Sequence, residues 1–292
     1  MSNLAKRVAS AAIMAPAALG AVVWLPAWGW PIAVALVAAV AAREIERLAA
    51  AVDTRNAGPV APFGAFLVAL LGSAATHDLA CWPACGDGML AGVAIVVVLA
   101  FAFQIARPPE RRSVTAWAVA VAVPVYIGGL AAVLVRLRTL NDGVTWVILA
   151  LVLVWVNDSA AYFGGRAFGR TPMAPALSPK KTWEGLAVGT VATVAVAATA
   201  AWVALPAMFP TMWELELAGA NWLPSTVSVA ALGLAVSIAG PFGDLSHSFI
   251  KRQFGAKDSS HLIPGHGGIW DRIDSLLFAA PVVYLFARLL GA

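Results

Sequence analysis

The residues able to do chemistry gather in the second half of the chain. One stretch runs Gly240-Pro241-Phe242-Gly243-Asp244, then His247-Ser248 and Lys251-Arg252, and on through Lys257-Asp258. It ends in Pro264-Gly265-His266-Gly267-Gly268-Ile269-Trp270-Asp271-Arg272-Ile273-Asp274. On a helix, Asp244, His247, Ser248 and Lys251 stand at i, i+3, i+4 and i+7 and share one face. Asp271 and Asp274 share a face at the start of the next helix, where the helix dipole favours negative charge. Pro241 and Gly243 are expected to kink or break the helix that carries them. Three carboxylates converging among cations offer hard oxygen ligands to Mg²⁺, which binds through one or two carboxylates plus substrate phosphates. Lysine, arginine and histidine then neutralise phosphate oxygens. This is the layout of a phosphoryl- or nucleotidyl-transfer site. The structural alternative is a set of buried ion pairs, Asp244–Lys251 and Asp271–Arg272. Sequence neighbours do not face each other on a helix, so the second pair is poor.

A second stretch lies upstream. Asn157-Asp158 is followed by Gly164-Gly165-Arg166, and then by Ser178-Pro179-Lys180-Lys181-Thr182-Trp183-Glu184-Gly185. Asp158 follows the apolar run from Thr145 to Val156 and so falls inside a helix, where a helix–helix hydrogen bond is its simplest use. The glycines and lysines read as a phosphate cradle, with backbone N–H groups close to the anion and lysine as point charge. The pattern is not a Walker A loop. Four of the five lysines fall in 180–181 and 251–257, in a chain that otherwise uses arginine.

The elements that must position these residues are membrane helices. Of 292 residues, 61% are hydrophobic and 12% charged, with mean hydropathy +0.84. A soluble domain has about 45–50% apolar and about 25% charged residues. The composition therefore excludes a soluble globule and a disordered chain, and its long Ala-, Val- and Leu-rich runs exclude a barrel. The expected fold is all-α and polytopic. Each span needs about 20 apolar residues, and nine segments qualify: 8–25, 29–49, 59–76, 88–106, 114–135, 143–163, 185–206, 225–250 and 271–290. Residues 1–142 form an N-terminal set of about five spans, and 143–292 a C-terminal set with the site. There is no internal repeat, which argues against a transporter. A removed signal peptide is not expected.

Nine spans put Lys6, Arg7, Arg43, Arg47, Arg55, Arg107, Arg111, Arg112, Arg166, Arg170, Lys180, Lys181, Lys251, Arg252, Lys257 and Arg272 on the side of the N-terminus. Only Arg136, Arg138 and Arg288 fall on the other side. The positive-inside rule makes the rich side cytoplasmic. Trp202, Trp213 and Trp222 then suit an interfacial belt on the outer face. Cys81 and Cys85 fall on that face too and are too few for a metal site; packing or a disulfide is open to them. A net charge of +4 gives no case for nucleic acid.

The run from Ser248 to Asp274 resembles the signature of the phosphatidate cytidylyltransferases (CDP-diacylglycerol synthases). Asp158, Ala161-Tyr162, Gly165 and Ser178 to Gly185 resemble that family as well. The resemblance covers about residues 157–275 by motif; the first 150 residues agree only in being multi-span. It implies that CTP and phosphatidic acid give CDP-diacylglycerol and pyrophosphate with Mg²⁺, at the cytoplasmic membrane surface where CTP is available; the Ala- and Arg-rich composition leans bacterial, so the expected location is an inner membrane. Asp244 and Asp271 would hold Mg²⁺, and Asp274 would support a ligand or bind a second cation. Lys251, Arg252, His266 and Arg272 would neutralise the triphosphate and pyrophosphate. Lys180 and Lys181 would hold the other phosphate group, that of the lipid; Ser178 and Lys257 would contribute to substrate binding, and Asp158 would orient a lysine or join the metal site. Gly267 and Gly268 would let the backbone approach phosphate. The expected partners are CTP, phosphatidic acid and the lipid bilayer, with a homodimer left open and no nucleic acid. The rival is a prenol- or dolichol-kinase-like enzyme, which would release CDP. A CDP-alcohol phosphatidyltransferase lacks support, because no D-G-x-x-A-R motif occurs.

Overall fold

A computed structural model describes residues 3–53, 58–73, 87–203, 225–263 and 267–290. Its helices are α1 (Asn3–Trp24), α2 (Gly29–Val52), α3 (Val60–Ser73), α4 (Asp87–Ala106), α5 (Val114–Val123), α6 (Gly129–Thr139), α7 (Gly143–Phe168), α8 (Trp183–Val203), α9 (Ser225–Gln253) and α10 (Trp270–Leu289). A π-helical turn, Pro124–Gly128, joins α5 to α6, so these form one stretch from Val114 to Thr139. Each of the nine apolar segments read from the sequence thus has a helical counterpart among the described residues.

Five of these stretches are long and apolar enough to cross a membrane: Gly88–Ala106, Val114–Thr139, Gly143–Phe168, Trp183–Ala201 and Thr226–Gln253. The fold is that of an all-α polytopic membrane protein. The other segments miss that standard for visible reasons. α3 has 14 residues, about 21 Å at about 1.5 Å per residue, against a hydrocarbon core of about 30 Å. α2 carries Arg43, Glu44, Glu46 and Arg47, and α10 carries Asp271, Arg272 and Asp274.

The chain forms two compact units. The first comprises residues 1–136 and 250–273, the second residues 137–249 and 274–292. Small residues let helices approach closely in each. In the first, Ala35, Ala38, Ala41 and Ala42 of α2 are fully buried, and a Cβ on Gly128 would come 2.7 Å from the Ala65 carbonyl. In the second, α7 packs along α8, where a Cβ on Gly185 would stand 2.8 Å from the Ala161 carbonyl.

Three details depart from the sequence reading. Gly164 and Gly165 lie within α7, which runs on to Phe168, so they serve helix packing and form no loop. The α7–α8 connection is instead an antiparallel hairpin of β1 (Pro172–Ala174) and β2 (Ser178–Thr182), a small addition to an otherwise helical fold. And α9 passes through Pro241 without a break. Proline removes one backbone bond; close packing of Gly243 against α10, where a Cβ would stand 2.6 Å from the Asp274 carbonyl, holds the helix together there.

α9 stops at a Schellman motif. Gly255 has φ +66°, its N–H bonds to the Arg252 carbonyl, and the Ala256 N–H bonds to the Lys251 carbonyl. A Cβ on Gly255 would meet nothing within 4 Å, so the cost of a side chain there is conformational alone. Gly255→Ala should lower stability by about 1 kcal/mol, and Gly255→Asn by less, as read by thermal unfolding in detergent. Cys81, Cys85, Arg55, Trp213, Trp222, Gly265 and His266 lie outside the described residues, as does the side chain of Trp202.

Candidate active site

Two polar networks hold most of the residues singled out from the sequence, one in each unit. In the second unit, α9 presents Asp244 and His247 on one face and α10 presents Asp274. The ligand atoms of these three side chains lie within 4.8 Å of one another. His247 Nδ1 stands 3.2 Å from Asp274 Oδ2, and the imidazole is buried at 1% exposure. Lys181, at the end of the hairpin, places Nζ 2.6 Å from Asp244 Oδ2 and 3.5 Å from the Pro241 carbonyl. The Ser248 hydroxyl lies 3.5 Å from Asp244 Oδ1, and the Ser275 N–H donates to Asp274 Oδ1 at 2.8 Å.

Local sequence explains how the hairpin delivers Lys181. Thr182 caps α8, its hydroxyl accepting the Gly185 N–H at 3.2 Å. Glu184, in the first turn of α8, accepts the N–H groups of Arg170 and Thr171 at 3.1 Å. Both ends of the hairpin are thereby tied to the start of α8. Within it Ser178 is half-buried and Lys180 exposed. Asp158 is exposed on α7. Its neighbour Asn157 is buried at 1% exposure, with Oδ1 3.4 Å from the Thr193 hydroxyl of α8.

The first unit contains the second network. Asp271 is 8% exposed. Its Oδ1 accepts from Lys251 Nζ at 2.7 Å, and its Oδ2 accepts the N–H groups of Ser259 and Gly268 at 2.9 and 2.8 Å. Glu44 of α2, 2% exposed, accepts the N–H groups of Ile269 and Trp270 at 3.0 and 2.9 Å and the Ser260 hydroxyl at 2.6 Å. Ser259 Oγ bridges the two acids, 2.9 Å from Glu44 Oε2 and 2.7 Å from Asp271 Oδ2. Arg252, Lys257 and Arg272 are exposed around this network.

The ion pairs differ from those the sequence offered. Asp244 meets Lys181 and Asp271 meets Lys251; partners close in sequence gave way to partners that helix rotation brings together. The glycines of the signature also have a different immediate neighbour. Gly267 has φ +81°, a conformation that favours glycine, and a Cβ on Gly268 would overlap Ser259 Oγ and the Glu44 carboxylate. They let the loop backbone close on the protein's own carboxylates, and the Gly268 N–H is given to Asp271.

The donor set in the second unit fits a divalent cation: two hard carboxylate oxygens, one imidazole nitrogen, and a lysine to orient one carboxylate. Among the described residues this is the one cluster of three such groups. Glu44 escaped the sequence reading, which names Asn157 without a role. The signal for Glu44 was available: Arg43-Glu44-Ile45-Glu46-Arg47 sits in an alanine-rich helix, and acidic residues there must find buried partners.

Comparison with known proteins places the chain in a family. The profile of the Cytidylyltransferase family matches residues 5–290, and the chain belongs to that family. Over 147 residues it is 42% identical to a phosphatidate cytidylyltransferase of Brucella suis biovar 1 (strain 1330), covering 50% of this chain and 48% of that protein. Over 144 residues it is 39% identical to one of Haemophilus influenzae (strain ATCC 51907 / DSM 11121 / KW20 / Rd), covering 49% and 46%. Over 166 residues it is 35% identical to one of Bacillus subtilis (strain 168), covering 56% of each. The matches span about half the length of these relatives.

Proposed function

We propose that the chain is a phosphatidate cytidylyltransferase, transferring CMP from CTP to phosphatidic acid to give CDP-diacylglycerol and pyrophosphate. The observation that carries this is the Asp244–His247–Asp274 cluster with Lys181 seated on Asp244, in a helical membrane protein of the cytidylyltransferase family. Relatives named for this activity support the substrates.

A phosphatidate phosphate oxygen attacks the α-phosphorus of CTP, the bond to the β-phosphate oxygen breaks, and pyrophosphate leaves. The attacking oxygen is already anionic, so no strong base is needed. Catalysis is positioning and charge neutralisation. Asp244 and Asp274, with His247 beside them, would hold Mg²⁺, which when bound supplies positive charge against phosphate oxygens. Lys181 orients Asp244 and presents its ammonium at the same place, and Lys180 and Ser178 offer further donors from the hairpin. Arg252, Lys257 and Arg272, exposed and clustered by the signature, receive triphosphate oxygens. Asp271 fixes the Lys251 ammonium. His266 is retained as a donor to the leaving pyrophosphate, and Asp158, exposed on α7, as a group that orients a lysine or joins the metal site. The excess of lysine and arginine on the N-terminal side supports a cytoplasmic site in the inner membrane of a bacterium, where CTP is soluble and the lipid is at hand.

The test is pyrophosphate release by the purified protein in detergent. Release should require CTP, phosphatidic acid and Mg²⁺ together, and should stop on EDTA addition. Release of CDP in place of pyrophosphate would contradict the reading and favour a lipid kinase.

A further inference from the structure

Glu44 has no place in the reaction just described, yet no other carboxylate in the described residues is tied to so many groups far away in the sequence. Its two oxygens take the N–H groups of Ile269 and Trp270 and the hydroxyls of Ser259 and Ser260. Four contacts thus land on Ser259 and Ser260, after α9, and on Ile269 and Trp270, at the start of α10. Two of the donors are backbone N–H groups at the start of α10, which has no internal partner for them. A carboxylate is the favoured cap at that position, here supplied by another helix. The fit leaves no slack, because a side chain on Gly268 would occupy the space of the Glu44 carboxylate. The same loop contacts reach Asp271 through Ser259, whose N–H and hydroxyl both meet Asp271 Oδ2.

We infer that Glu44 is a positioning residue for the nucleotide: it clamps Ser259 and Ser260 to the start of α10, so that Lys257 and Arg272, exposed and next to these anchors in sequence, meet the triphosphate of CTP in one arrangement. This rests on the function proposed above, and it assigns a task in the reaction to the N-terminal half of the chain. Lys257 and Arg272, cations for the nucleotide, stand two residues in sequence from Ser259 and Trp270, whereas the hairpin with Lys180 and Lys181 is held by Glu184 and Thr182. Loss of the clamp should therefore act on CTP and leave the lipid alone.

The experiment uses the full chain in detergent–lipid micelles. Glu44→Gln keeps the volume but turns one acceptor oxygen into an amide donor facing donors. It should raise KM for CTP about tenfold, since one lost charge-assisted hydrogen bond is worth roughly that factor, with KM for phosphatidic acid unchanged. Ser260→Ala removes the hydroxyl that donates to Glu44 and accepts the Leu262 N–H, at a half-buried position where the fold tolerates it. It should raise KM for CTP by a smaller factor and add little to Glu44→Gln in the double variant. Val68→Ala, a cavity in the core of the same unit, should lower thermal stability and move neither KM. Hydrogen exchange of the 259–270 amides should quicken in Glu44→Gln, and this readout needs no turnover. An unchanged KM for CTP in both loop variants, or an equal rise for both substrates, would overturn the inference. Failure of the wild type to turn over CTP with phosphatidic acid would instead overturn the function proposed above. The inference about the clamp would then stand or fall on the exchange data.

Discussion

Lys251→Met is expected to lower the stability of the protein by about 3–5 kcal/mol, the range for stripping one partner from a buried ion pair. Lys251 and Asp271 meet at 2.7 Å with side chains 12% and 5% exposed, so water cannot replace the ammonium. Asp271 retains the N–H groups of Ser259 and Gly268, which places the loss toward the lower end of the range. Adding Asp271→Asn to Lys251→Met should recover part of the loss, because a neutral amide needs no counter-charge. Thermal unfolding in detergent reads both. A loss under about 1 kcal/mol for Lys251→Met would mean the pair behaves as a screened surface contact, and the buried network drawn here would be wrong.

Asp274→Asn and Asp244→Asn should each lower kcat by about 10²–10³-fold, the scale on which enzymes lose rate when one preorganised electrostatic group is removed. Both substitutions conserve shape, so stability should change little. At Asp244 the carboxylate is partly exposed at 35% and faces Lys181; at Asp274 it is 13% exposed and faces His247. Each variant should also need more Mg²⁺ to reach half of its own maximal rate, because one of two hard oxygen ligands has gone. Steady-state rates across a Mg²⁺ titration measure both effects. A variant with wild-type kcat and an unshifted Mg²⁺ midpoint would remove that carboxylate from the cation site.

The helices were legible in the sequence, because an apolar run of about 20 residues has one use in a membrane. The boundaries of α4 and α9 came out close to their final ends for that reason. The cluster was legible in part: Asp244 and Asp274 are among the three carboxylates that the sequence offers for Mg²⁺, whereas His247 shows there only as sharing the face of Asp244, and Asp271, the third carboxylate, meets Lys251 instead. Rotation was not legible. α8 is apolar along nearly its whole length and gives no preferred buried side, so nothing in the sequence paired Lys181 with Asp244. Glu44 was hidden for a related reason: its partners lie 215 to 226 residues away. At Pro241 the sequence leaves a kink or a break open, and the continuous α9 excludes the break. A proline signals a break, but the close contact of Gly243 with α10 supports a continuous helix there.

The central claim concerns which phosphorus of CTP is attacked. The direct measurement supplies the purified chain with phosphatidic acid, Mg²⁺ and CTP labelled at either the α- or the γ-phosphate, and follows the label into lipid. The account predicts α-label in a CDP-lipid and γ-label in free pyrophosphate, both abolished by EDTA and strongly reduced in Asp244→Asn. Label from the γ-position in the lipid, with CDP as the soluble product, would contradict it.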